Sequence, residues 1–81
     1  MPVAQALEEL TSLDNLIRVW AFDNSNKQWA FFDPRPSFAD ASTIQNMVNG
    51  QIYWLRVDSV QTPVLNGNPV TLYKGWNLVP W

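Results

Sequence analysis

Histidine and cysteine are both absent from the 81 residues, which removes the imidazole base, the thiolate nucleophile and the usual zinc ligands together. Ser-His-Asp and Cys-His chemistry are thereby excluded. Oxygen ligands and aromatic rings remain. Asp23, Asp33 and Asp58 fall at the ends of strand-like segments, where a glycosidase-type carboxylate pair would have to converge across a groove. Aspartates at such places more commonly close turns, and we adopt that reading. Asp23-Asn24-Ser25-Asn26 superficially has the oxygen content of a calcium loop. It lacks the acidic ligand further along that completes one, so a hairpin turn accounts for it better. Gly50, Gly67 and Gly75 are too far apart to form a phosphate-cradling loop. The chain is expected to be no enzyme, with no catalytic residue, metal site or cofactor.

The aromatic residues are the other possible active surface. Five Trp, two Tyr and four Phe can each bury roughly 150–250 Å² in a core, or can stack on sugars and anchor protein interfaces when exposed. A small domain without disulfides needs core. We therefore expect Trp20, Trp54 and Trp76 inside, and Trp29 and Trp81 partly exposed. The candidate interaction surface is Trp29 with Asp33 and Arg35, together with Trp81, which must dock back or sit in an interface. Arg18, Lys27, Arg35, Arg56 and Lys74 are scattered along a chain of net charge −2, so no nucleic acid is expected as partner. Nor is membrane insertion. No stretch approaches the ~20 apolar residues of a span, and Met1-Pro2-Val3 does not open a basic-then-apolar leader.

These side chains must be positioned by one domain over 1–81, since the length allows a single core. Val3, Ala6, Leu7 and Leu10 recur at i, i+3, i+4 and i+7 behind Pro2, which predicts an amphipathic helix over 2–11 lying on a sheet. From Leu16 the period changes to two. Leu16–Asp23 and Gln28–Phe32, joined by Asn24-Ser25-Asn26-Lys27, predict a β-hairpin over 16–32, with Trp20/Phe22 and Trp29/Phe31 each lining one face of their strand. Asp33-Pro34-Arg35-Pro36 closes it.

The stretch 37–50 reads either as a short helix through Ile44, Met47 and Val48, capped by Asp40 or Ser42, or as a loop inserting Phe38, Ile44 and Val48 into the core. Strands then fill 51–81. Gln51–Asp58 is apolar at both parities, which suggests a central strand covered on both sides over part of its length. Asn66-Gly67 marks a tight hairpin between Val64-Leu65 and Pro69–Tyr73, and Trp76–Trp81 is a last strand. The fold class is mainly β, with a short N-terminal helix and five or six short strands in a small antiparallel barrel or strongly curved sheet. A flat sheet would leave too many edges.

Val19-Trp20-Ala21-Phe22-Asp23, Gln28-Trp29-Ala30-Phe31-Phe32-Asp33-Pro34, Asn49-Gly50-Gln51-Ile52-Tyr53-Trp54-Leu55 and Leu72-Tyr73-Lys74-Gly75-Trp76-Asn77-Leu78-Val79 occur together. In that order they resemble a tryptophan-rich β module of large bacterial and archaeal secreted or surface-associated proteins. Its strands read V-W-x-[FY]-D, W-x-x-[FY], G-x-x-Y-W-[IL] and G-W-N-L. The resemblance implies an architectural or adhesive part of an extracellular or cell-surface assembly, with no catalytic residues to carry over. In such modules the G-W-N-L strand joins successive copies, whereas this chain carries one copy. The last strand then either closes its own domain, the reading we favour, or pairs with another chain. Protein, either a second copy or a larger surface protein, is the expected partner. The alternative is a carbohydrate bound on an exposed aromatic platform. Two or more coplanar exposed rings beside polar groups would favour sugar, and an apolar patch beside an unpaired strand edge would favour protein.

Overall fold

The computed structural model describes residues 1–38 and 41–81. Its first elements are two short helical segments, α1 (Val3–Ala6) and α2 (Glu8–Thr11), separated at Leu7, whose φ of −110° breaks the helical run. The predicted apolar stripe is the buried one, since Val3, Ala6, Leu7 and Leu10 all join the core. Asp14, at φ 53°, ends the second segment. The Asn15 amide reaches back to the Leu10 carbonyl and the Asp14 amide to that of Thr11, the pairing of a Schellman stop in which Asp takes the usual place of glycine.

Six strands follow: β1 (Leu16–Asp23), β2 (Gln28–Phe32), β3 (Ile52–Val57), β4 (Val64–Leu65), β5 (Asn68–Pro69) and β6 (Gly75–Pro80). The fold is mainly β, as expected, but of the two expected forms, barrel or strongly curved sheet, the closed barrel does not occur. Four strands form an open antiparallel sheet in the order β2-β1-β3-β6, and β4-β5 is a separate hairpin. The edges that argued for closure are handled unequally. Along β2, the amides of Thr43 and Ile44 donate to the Phe31 carbonyl, and the Phe31 amide donates to Thr43 Oγ1. That edge is covered. Along β6 the Trp81 amide bonds inward to the Gln51 carbonyl. By the alternation of a strand, the main-chain groups of Trp76, Leu78 and Pro80 then point away from the sheet. Proline suits such an edge because it has no ladder donor to leave unpaired.

One bulge decides which side chains face where. Leu16 opposes Val57 while Arg18 opposes Arg56, so Ile17 is an extra residue that shifts the parity of β1. Leu16, Val19 and Ala21 consequently all reach the core, with Tyr53, Leu55 and Val57 of β3 and Val79 of β6. Leu7, Leu10, Ile44, Met47, Leu65 and Leu72 complete it from the helical segments, the middle loop and the small hairpin. The stretch 41–50 is the loop of the two alternatives, but it buries Ile44 and Met47 and leaves Phe38 and Val48 exposed. The suggested Asp40 cap lies outside the described residues. Asn66 and Gly67, at φ 51° and 81°, make the expected tight turn. Its return strand is only Asn68–Pro69, and a single bridge from Gln61 to Leu72 continues the pairing.

One buried polar side chain ties the layers together. Asn15 Oδ1 accepts from the amides of Asp58 (3.1 Å) and Ser59 (2.8 Å), while its Nδ2 donates to the Ser59 carbonyl and Gln61 Oε1. The end of α2 is thus fixed to the end of β3.

Candidate functional site

Each strand of the four-stranded sheet sends alternate residues to the side opposite the core. On that side lie Arg18, Trp20 and Phe22 of β1, Trp29 and Phe31 of β2, Ile52, Trp54 and Arg56 of β3, and Trp76, Leu78 and Pro80 of β6. Their register is direct: Trp20 opposes both Phe31 and Trp54, Phe22 opposes Trp29, Trp54 opposes Leu78, and Arg56 opposes Trp76. No helix or loop covers the centre of this face among the described residues. Trp29, Trp54 and Trp76 remain 56%, 41% and 47% exposed. Together with Trp20 they line an open apolar groove of about 520 Å³. The expectation that Trp20, Trp54 and Trp76 form the core is therefore corrected: Trp54 and Trp76 are exposed and Trp20 is half-buried on the uncovered face. The idea that β3 is covered on both sides falls with it.

The rings of β1 and β2 on this face are not coplanar. Trp20 and Trp29 meet edge to face at 6.3 Å and 87°, Phe22 and Trp29 at 5.2 Å and 70°, and Trp20 and Phe31 at 5.3 Å and 45°. Such contacts fix ring orientation, each contributing about 0.5–1.5 kcal/mol beyond burial. Two arginines border the face. The Arg18 guanidinium lies 5.4 Å from the Trp20 ring, 4.8 Å from Phe31 and 5.1 Å from Phe38, and that of Arg56 lies 6.0 Å from Trp76.

Of the four residues singled out from sequence, only Trp29 belongs to this face. Asp33 is fully buried, which corrects its placement on a surface. Its Oδ2 accepts from Arg35 Nη2 (2.6 Å) and Arg18 Nε (3.1 Å), and its Oδ1 from Arg35 Nε (2.9 Å) and the Arg35 amide (3.0 Å). Hydrogen bonding to Arg35, opposed by burial and assisted by Arg18, lowers the Asp33 carboxyl to about 2 from the usual 3.8. The same contact raises the Arg35 guanidinium. Asp33 thus anchors Arg18 at the rim of the tryptophan face, and Arg35 stacks 4.7 Å from Phe38. Trp81 lies on the other side of the sheet, half-buried against the core with its ring 6.0 Å from that of Tyr53.

Asp23, a second strand-end aspartate, is engaged locally. Asp23 Oδ1 accepts from Ser25 Oγ (2.6 Å) and the Ser25 amide (3.0 Å) in the hairpin turn, and those bonds lower its pKa. Lys27 Nζ donates to Asn24 Oδ1 in the same turn, placing a cation where the calcium reading would need an oxygen ligand. No group of three acidic side chains close enough to hold a metal ion occurs among the described residues, and no helix there is long and apolar enough to cross a membrane.

Ring size alone does not report burial on this sheet. The signal for it lay in parity. Arg18-Trp20-Phe22 and Arg56-Trp54-Ile52 share a side with a charge, and side chains that share parity with arginine face water. Comparison of the chain with family models, with curated proteins and with solved structures returns no match.

Proposed function

We propose that the chain is a non-catalytic β module that binds protein through the tryptophan face. The observation that carries this reading is an apolar sheet face with no covering layer among the described residues, bordered by the open β6 edge. Monomeric soluble domains seldom leave so large an apolar area in water. The mutual tilt of the Trp20, Phe22, Trp29 and Phe31 rings, rather than a coplanar platform, favours packing of side chains over stacking of a sugar ring there. Its polar groups are two arginines, one held by Asp33 and both lying over aromatic rings, which leaves few hydroxyl-reading groups. The placement of Asp33 and Asp23 supports the non-catalytic part, since Asp33 is held by two arginines and Asp23 closes a turn.

The setting in a surface or extracellular assembly rests on the resemblance of the four motifs. Each motif contributes one tryptophan, Trp20, Trp29, Trp54 or Trp76, to the one face. A shared ligand surface would explain why the motifs occur together.

Selection from a displayed random-peptide library on chain immobilised at low density, run beside a glycan array, tests the assignment. Enrichment of apolar peptides is expected, with binding weakened about tenfold or more by Trp29→Ala or Leu78→Glu. Glycan binding lost in Trp29→Ala, without peptide enrichment, would transfer the face to carbohydrate recognition.

A further inference from the structure

The size, charge and symmetry of the tryptophan face specify its occupant further. Trp29, Trp54, Trp76, Leu78, Ile52 and Phe22 are between 36% and 60% exposed. With a whole tryptophan at roughly 250 Å² and the others smaller, these six present on the order of 600 Å². The less exposed Trp20 and Phe31, with Pro80 and Arg56, bring the face toward the about 800 Å² per partner of a standard stable interface. A four-stranded antiparallel sheet covered on one side is also half of a β-sandwich, whose sheets stack about 10 Å apart.

One of the two charges on the face is already ion-paired within the chain. Arg18 is ion-paired to Asp33 within its own chain and stacks on its own aromatic rings, and Arg56 lies over its own Trp76. No carboxylate stands among the face residues. A partner chosen by charge would have to compete for those arginines, whereas an identical face need not. Resting on the reading that this face binds protein, we propose that its occupant is a second copy of the chain, sheet against sheet about a two-fold axis.

The same arginines choose the axis. Arg18 and Arg56 are directly paired neighbours at one end of the sheet, and Trp20 and Trp54 are paired at its middle. A two-fold running along the strands would lay β1 over β3 of the other copy and bring Arg18 onto Arg56. A two-fold running across the strands through Trp20 and Trp54 lays each strand over its own counterpart with the direction reversed. Arg56 then meets Ile52 of the other copy, and like arginines stand roughly 13 Å apart along the strand. Their repulsion is weaker at that spacing than where Arg18 sits directly on Arg56. The isologous arrangement is closed, so it stops at a dimer.

Sedimentation equilibrium of the 81-residue chain, from low micromolar to millimolar, tests this directly. A dimer is expected, weakened at least about tenfold by Leu78→Glu or Trp54→Thr, with unchanged circular dichroism showing that each variant folds. Orientation is read from one position. Ile52→Glu, facing Arg56 of the second copy, should retain the dimer, whereas Ile52→Arg should weaken it at least about tenfold relative to Ile52→Glu. Equal responses of the two variants would overturn the axis. A wild-type monomer at millimolar concentration would overturn the second-copy assignment, while apolar peptide enrichment would leave the protein-binding reading standing. A monomer that co-sediments with phosphatidylserine-containing vesicles would assign the face to a lipid surface and overturn it as well.

Discussion

The two sides of one sheet are built from interleaved residues and yet solve opposite problems. On the covered side, Val19, Ala21, Leu55, Val57 and Val79 are small or aliphatic and almost wholly buried. On the open side the intervening positions carry Trp20, Phe22, Trp54, Trp76 and Leu78. Burial here follows not from side-chain size but from which side the rest of the chain can cover. The two four-residue helical segments, the loop through Ile44 and Met47, and the β4-β5 hairpin all pack on one side. Short aliphatic residues let that layer approach the strands. Tyr53 and Trp81 pack on the covered side, but the other four tryptophans stand on the side where no layer among the described residues competes for the space, with Trp20 and Trp29 in edge-to-face contact.

Leu55 and Leu78 turn this contrast into the largest measurable difference. They sit on adjacent paired strands, but Leu55 is 0% exposed and Leu78 is 60% exposed. Leu55→Ala opens a cavity in the core beneath β3, with an expected loss of about 2–5 kcal/mol in urea unfolding. A loss below about 1 kcal/mol would mean that the covered side is not the close-packed one.

Much of the covered side was legible in the sequence, and its physical basis is local. The 3.6-residue spacing of Val3, Ala6, Leu7 and Leu10 marked a buried stripe, the period-two runs marked β1 and β2, and Asn66-Gly67 marked a turn needing left-handed φ. The choice of side was not legible in the same way. Gln51–Asp58 is apolar at both parities, so alternation alone could not tell Leu55 from Trp54. The Ile17 bulge further hides the parity of β1, because Leu16 and Val19 are both buried. Closure into a barrel was inferred from the need to protect edges. The covering of β2 by Thr43 and Ile44 meets that need at one edge through contacts distant in sequence. Asp33 was expected at a surface because it follows a strand, yet its partner Arg18 lies fifteen residues earlier and only the β1-β2 register brings them together.

Asp33 links the two sides and gives the next effect in size. Its folded-state pKa is about 2, below the usual 3.8, so its contribution is fully present above about pH 4 and is lost as pH falls through about 2. The expected magnitude is about 1–2 kcal/mol after allowing for solvent around the half-exposed Arg35 guanidinium. Asp33→Asn should lower stability at neutral pH by that amount and flatten the acid limb of the stability curve between about pH 4 and 2. An unchanged acid limb would show that the arginine pair does not stabilise the folded chain.

The smallest effect is the most informative about the open side. Leu78→Thr replaces a mostly exposed side chain with one that suits a strand, so at low protein concentration its cost should be below about 1 kcal/mol. A face that is only solvent-exposed surface would give that small difference at every concentration. A face that pairs with a second copy adds a stabilisation that grows with concentration, because association draws only on the folded state. The wild-type urea midpoint should therefore rise with concentration while that of Leu78→Thr rises less, and the gap between them should widen. Parallel, concentration-independent midpoints would leave the two sides of the sheet different in composition but alike in not pairing with a second copy.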